Sequence, residues 1–252
     1  MAIYLPDTNV LIRFCHDQAI CAKLENARQN GIKFVIGPPV LIELVRGMIS
    51  SSHDTFENDK RVFSWLEAQC PAILPLPRPF MAKILHTTTR TGPVRPEHYS
   101  ELIQMVVSSA DHRDFLRKSD TAGSVWKDIA NLDRTHEAQL EKELSALEGM
   151  AGNRAENFVR GLSHTFGAPG CRPHPLILEK RFSAAIEFLQ SSLSKIQKGA
   201  KPRKNDRGLY VDFQLLLYLA EPEISFLTNE RFSGEIRRSP QRTRIVGLDS
   251  LR

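Results

Sequence analysis

The feature that most constrains this chain is an acidic turn between two apolar runs near its start, Ile3-Tyr4-Leu5-Pro6-Asp7-Thr8-Asn9-Val10-Leu11-Ile12. The first run is short, apolar and non-alternating, which is the pattern of a strand buried on both faces of a parallel sheet. A carboxylate at the carboxyl end of such a strand faces the crevice where open α/β sheets bind their ligands. Thr8 and Asn9 can hydrogen-bond nearby backbone and brace the turn. Asp7 can equally serve as the N-cap of whatever follows, so this stretch alone leaves a structural and a chemical role open.

The remaining pattern is that of an α/β protein, and 252 residues suffice for one large domain or a core with an insertion. A helix is expected over 17–29, stopped by Asn30-Gly31, and a second short strand over 32–36. Gly37-Pro38-Pro39 breaks that strand and sets a helix start. The helix then runs through Val40 to Gly47 with Glu43 as a carboxylate on an otherwise apolar early turn. A helix over 53–69 leads to a strand at 72–76, whose prolines assign it to an edge or a strand end, and a helix follows over 79–91. Helices are then expected over 97–117 and over 121–149. The longer one carries Val125, Ile129, Leu132, His136, Leu140, Leu144 and Leu147 on a single face. That face predicts packing within the chain or, in a homodimer, against a second copy. A loop-rich stretch from 150 to 175 precedes a helix over 176–198 and a basic connector over 198–208. The chain closes with an apolar helix over 209–220 carrying Asp212 near its start, a strand at 224–227 followed by Thr228-Asn229-Glu230, and a last strand at 244–247.

Charge and cysteine content narrow the function classes. The net charge is +5 and the pI about 9.1, which favours an anionic partner. Cys15, Cys21, Cys70 and Cys171 form no CxxC pair, so free thiols in a reducing cytoplasm are expected. His164, Cys171 and His174 lack a fourth zinc ligand at a matching spacing. Neither a signal peptide nor an apolar run of ~18 residues is present, so a cytoplasmic protein with no membrane span is the expectation.

Four carboxylates stand out by position. Asp7 and Glu230 follow short apolar strands, while Glu43 and Asp212 sit early on apolar helices. A parallel sheet gathers such strand ends and helix starts along one edge. Like charges collected there repel unless a cation neutralises them, and oxygen ligands select a hard divalent cation such as Mg²⁺ or Mn²⁺. Such a site suits phosphoryl chemistry.

These segments resemble the motifs of PIN-domain ribonucleases, a family that includes the toxins of toxin–antitoxin pairs. Leu5 to Ile12 is similar to their opening strand and acidic turn, and Pro39 to Gly47 to their glutamate-bearing helix. Asp212 to Ala220 resembles the third motif, an aspartate opening an apolar helix, and Phe226 to Phe232 the fourth. Leu74-Pro75-Leu76 resembles an edge strand of that fold. The resemblance implies a three-layer α/β/α core with a parallel sheet, made of residues 1–92 and 205–252, with a helical insertion over 93–204. It implies a Mg²⁺- or Mn²⁺-dependent endoribonuclease in which Asp7, Glu43 and Asp212 hold metal and Glu230 is a fourth ligand or a base. Thr8, Asn9 and Thr228 would orient the carboxylates. RNA and an antitoxin protein are the implied partners. The chain departs from the family at Glu230, where Asp or Asn is usual, and in the long gap before Asp212; Asp206 is a spare carboxylate that can replace or supplement it. Another Mg-dependent phosphohydrolase, such as a phosphatase, is one alternative; those with an aspartyl nucleophile usually show Asp-x-Asp where Asn9 stands, which counts against them. A non-catalytic PIN scaffold binding RNA or protein is the other alternative. Lys201, Arg203, Lys204 and Arg207 are either a solvated linker or contacts to RNA phosphates beside the scissile bond.

Overall fold

At the centre of the computed structural model lies a four-stranded, all-parallel sheet, with helices making up most of the rest. The structure describes residues 2–51, 55–70, 72–85, 96–131, 134, 175–197, 207–229, 232 and 235–251. The strands are β1 (Ile3–Pro6), β2 (Lys33–Phe34), β3 (Ile224–Leu227) and β4 (Ile245–Val246), in the order β2-β1-β3-β4. Ile3 pairs with Lys33 on one side of β1 and with Ile224 on the other, and Phe226 pairs with Ile245. Consecutive crossovers therefore leave β1 in one direction first and then the other. The β1/β3 boundary is the point at which strand order reverses.

The strand expected at 72–76 is reduced to a single parallel bridge, Ile36 to Ile73. Ile36 donates its N–H to the Ala72 carbonyl at 3.3 Å and accepts from Leu74 N–H at 2.9 Å. Pro75 then has no N–H to offer, and the ladder stops.

Helices α1 (Thr8–His16) and α2 (Gln18–Gln29) lie between β1 and β2, and α3 (Pro38–Ser50), α4 (Phe56–Gln69) and α5 (Pro77–Ile84) follow β2. Prolines occupy the first turn of α3 and α5, where a missing N–H costs nothing. The chain leaves α2 through Gly31, whose φ of 82° is left-handed and favours glycine. The single helix expected over 97–117 is two, α6 (Pro96–Val107) and α7 (His112–Asp120). Side chains at the break outcompete helix continuation. Asp111 Oδ1 accepts from Asp114 N–H at 2.8 Å, Asp114 Oδ2 accepts from Ala110 N–H at 3.0 Å, and Ser109 Oγ donates to the Met105 carbonyl at 2.6 Å. The Asp114 carboxyl is held well below the ordinary carboxylate range, chiefly by its bond from Arg117.

After a turn over 121–124, residues 125–131 are helical again. Leu132, His136, Leu140, Leu144 and Leu147 of the expected stripe lie outside the described residues. Helix α8 (Pro175–Gln197) bends at buried Phe182, whose φ of −122° is non-helical. Helix α9 (Arg207–Leu217) tightens into a 3₁₀ turn at Tyr218–Ala220.

Between 93 and 204 the described residues contribute no strand to the sheet, and their apolar side chains enter the same core as its strands. Tyr99, Leu102 and Phe115 are buried in it, as are Phe182 and Phe188 alongside Leu5, Phe34 and Phe226. Among the described residues no helix is long and apolar enough to cross a membrane.

One buried polar residue ties α8 to the end of the chain. Gln241, 4% exposed, donates through Nε2 to the carbonyls of Arg181 at 2.6 Å and Leu219 at 2.8 Å, and its Oε1 accepts from Ala184 N–H at 2.9 Å. Replacing it by an apolar residue removes a partner from three backbone groups, of which the Leu219 carbonyl keeps Arg244. Gln241→Leu should cost about 2–4 kcal/mol in urea unfolding, whereas Thr243→Val, at an exposed hydroxyl nearby, should stay within about 0.5 kcal/mol of the parent. Equal stabilities for the two variants would refute the assignment.

Candidate functional site

The β1–β3 ladder runs one residue past β1. Asp7 N–H donates to the Leu227 carbonyl at 2.9 Å, and its backbone, at φ −79° and ψ 169°, is still extended before α1 begins. The side chain then does two jobs. Oδ1 accepts from Val10 N–H at 2.7 Å, capping α1. Oδ2 accepts from the Thr228 hydroxyl at the end of β3. The capping role read for Asp7 is thus present, in a side chain that stands at the sheet edge. Asp7 is 4% exposed and Thr228 2%. Thr228 is itself fixed by its N–H, which donates to the Val246 carbonyl at 3.0 Å.

A second carboxylate joins through the next residue. Thr8, buried in the first turn of α1, donates its hydroxyl to Glu43 Oε2. Glu43 is half-buried on α3. The start of α3 has little room: a Cβ on Gly37 would meet Tyr218 Cε2 at 3.2 Å and Leu215 Cδ2 at 3.3 Å. That contact holds α9 and its 3₁₀ extension against α3. The Tyr218 hydroxyl donates to the Pro75 carbonyl at 2.6 Å, and burial pushes its pKa well above the ordinary phenol value. Asp212, half-buried, occupies the middle of α9.

The sheet edge therefore brings together Asp7, Thr8, Glu43 and Thr228, all at the β1/β3 reversal or hydrogen-bonded to it. Asn9 is exposed on the first turn of α1. Among the described residues no group of three or more His, Cys, Asp and Glu side chains is gathered that could hold a metal ion. Glu230, Asp206, Lys201, Arg203 and Lys204 lie outside the described residues, as do His164, Cys171 and His174. Arg207 opens α9, and its side chain lies outside them too. Cys21 and Cys70 are free thiols. Burial pushes the Cys70 thiol up to about 12, which makes it a packing group rather than a nucleophile.

A carboxylate has about four acceptor positions. The hydroxyl and amide donors on Asp7 and Glu43 orient these groups and leave capacity for a cation or a protonated ligand. The α1 N-terminus also favours negative charge at Asp7.

Two features had no signal in the sequence. Asn229 follows Thr228 and carries a buried Nδ2 with no hydrogen-bond partner among the described residues. A cavity of about 360 Å³ is lined by Glu67, Cys70, Ile73, Glu97, Ser100 and Gln104. No motif marks either one, because each depends on which distant segments pack together.

The chain matches no protein-family model, no curated protein and no solved structure.

The Asp7–Thr228 bond makes a direct prediction about stability. Thr228→Val keeps the shape and removes the donor from a buried carboxylate, and should lower unfolding free energy by about 1–3 kcal/mol. Thr228→Ser, which keeps the hydroxyl, should recover most of the loss. Denaturant titration of both variants decides it, and indifference to valine would remove the bond from the account.

Proposed function

We propose that this chain is a metal-dependent endoribonuclease with a PIN-like core, hydrolysing phosphodiester bonds in single-stranded or looped RNA. The observation that carries the reading is the position of the Asp7–Thr228 hydrogen bond. It spans the two strands between which strand order reverses, at their carboxyl ends, where open α/β sheets bind ligands. The Thr8–Glu43 bond brings the second motif to the same edge.

The donors at this edge are of the type a hard cation takes. They are carboxylate oxygens, and Mg²⁺ is commonly held by one or two carboxylates with water and substrate phosphate filling the remaining positions. Asp7 and Glu43 would hold Mg²⁺ or Mn²⁺, with Asp212 and Glu230 as further ligands and Asp206 as a substitute for Asp212. When bound, the cation would activate water for attack on phosphorus and stabilise the leaving oxygen. The protein's own part is positional. Val10 N–H and the Thr228 hydroxyl fix both oxygens of Asp7, and Thr8 fixes Glu43, so neither carboxylate must reorganise during reaction. Asn9, exposed on the same first turn of α1, would help orient them. Lys201, Arg203, Lys204 and Arg207 would hold phosphates flanking the scissile bond. In this reading the chain acts in the cytoplasm, and a toxin role implies an antitoxin protein that covers the acidic edge. The apolar stripe expected from Val125 to Leu147 would supply a homodimer contact.

Asp7→Asn is the decisive variant. Asparagine is as good an N-cap as aspartate, so the melting temperature should hold or rise as like-charge repulsion is relieved. Cleavage of a mixed RNA pool should be lost. Cleavage by the parent protein should also stop in excess EDTA and return with Mg²⁺ or Mn²⁺. Undiminished cleavage in EDTA, or by the Asp7→Asn protein, would overturn the mechanism. RNA binding by a parent protein that never cleaves would favour the non-catalytic scaffold.

A further inference from the structure

The segment 237–244 carries four arginines, and they divide into two kinds. Arg244 turns inward. Its Nη1 donates to the carbonyls of Glu221 at 2.7 Å and Ile224 at 2.9 Å, and Nη2 donates to that of Leu219. Arg237, Arg238 and Arg242 are exposed, and none forms an ion pair among the described residues.

The backbone that presents these three is fixed. Glu187 on α8 accepts from the N–H groups of Arg237 and Arg238 at 2.8 Å each and from that of Ser239 at 2.7 Å. Ser239 Oγ lies 2.7 Å from Ser183 Oγ and accepts from Gln241 N–H at 3.1 Å. Gln241 is the buried tie already described. The carboxylate joined to this segment thus spends its oxygens on main-chain amides rather than on guanidinium groups. Three arginines are held on a rigid, hydrogen-bonded support with their charge directed to solvent.

Their place in the sheet is defined. Ile245 of β4 stands opposite Phe226, and Arg244 just before it donates to the Glu221 and Ile224 carbonyls, so 237–244 approaches from the amino-terminal end of β3. Asp7 and Thr228 stand at the carboxyl edge, and Thr228 lies about 13 Å along the strand from Ile224 at the usual rise per residue. One small ligand cannot touch both edges, but an anionic polymer can.

We infer that Arg237, Arg238 and Arg242 form a pre-built phosphate-binding platform for the flanking strand of an RNA whose scissile bond lies at the Asp7 edge. The inference rests on the nuclease reading above for the identity of the polymer. Guanidinium forks match phosphate oxygens in pairs and give up little hydration on binding. Contacts of this kind position a strand without reading its sequence.

The test uses the full chain with Asp7→Asn, so that binding is measured without cleavage, and compares it with the same chain carrying Arg237→Gln, Arg238→Gln and Arg242→Gln. These changes leave the backbone N–H bonds to Glu187 intact, and circular dichroism and melting should match between the two proteins. With a single-stranded RNA of about 20 nucleotides, three lost contacts should flatten the log–log salt dependence by about two units and weaken binding at least about tenfold at low salt. A dinucleotide, whose single phosphodiester offers about one phosphate contact, should lose far less on the same substitutions. An unchanged salt slope with the long RNA would overturn the platform. So would equal losses for long and short RNA, or displacement of the long RNA by poly-glutamate as readily as by RNA, which would mark the surface as one for acidic proteins. If the parent chain cleaves no RNA yet the long RNA needs the arginines, the nuclease reading fails and the platform stands.

Discussion

A buried carboxylate at the end of a central strand is costly unless its oxygens are satisfied, and the architecture around Asp7 meets that demand from two directions. Val10 N–H comes from the helix the chain enters, and the Thr228 hydroxyl from the neighbouring strand. Satisfying one side chain thereby fixes the angle at which β1 turns into α1 and the register of β1 against β3. Thr8 follows in the same turn and draws Glu43, and with it α3, toward the same edge. Removing the carboxylate's partners would loosen a strand end, a helix start and an inter-strand contact together.

The opposite side of the sheet is organised by a different kind of restraint. There the groups that need partners are main-chain carbonyls and amides, left over where α8, the 3₁₀ turn after α9 and the segment before β4 meet. Gln241 and Arg244 donate to the carbonyls, and Glu187 accepts from the amides. Burial holds the Arg244 guanidinium below its usual pKa, an electrostatic cost offset by three carbonyl acceptors. Long side chains bridge segments that have no ladder between them. The consequence is a stiff C-terminal region built with very little regular structure.

Much of the sheet was legible in the sequence, and the reasons are local. β1 and β3 are short apolar runs ended by polar turns, and Gly37-Pro38-Pro39 announces α3 through backbone chemistry that needs no tertiary context. Prolines at 75 and 77 marked an interrupted edge, and a single bridge at Ile73 is what they allow. The break between α6 and α7 was not legible. Ser108, Ser109, Ala110 and Asp111 continue a helical pattern in composition, and only the reciprocal bonds of Asp111 and Asp114 show that the chain prefers to restart. At the candidate site, the residue types at Asp7, Thr8, Glu43 and Thr228 were readable from their positions beside strand ends and helix starts. Which hydroxyl serves which carboxylate was not, since that depends on how α3 and β3 dock against β1. The buried amide of Asn229 and the cavity beside Cys70 had no sequence signal for the same reason.

The Thr228 hydroxyl reaches Asp7 across 221 positions of chain. During synthesis the first strand and α1 emerge long before β3, because a chain grows at about 5–20 residues per second. Throughout that interval Asp7 can cap α1 but has neither the neighbouring strand nor its hydroxyl. The acidic edge is therefore completed only once β3 has been made, and a chain that stops short of β3 carries Asp7 and Glu43 without the strand that aligns them.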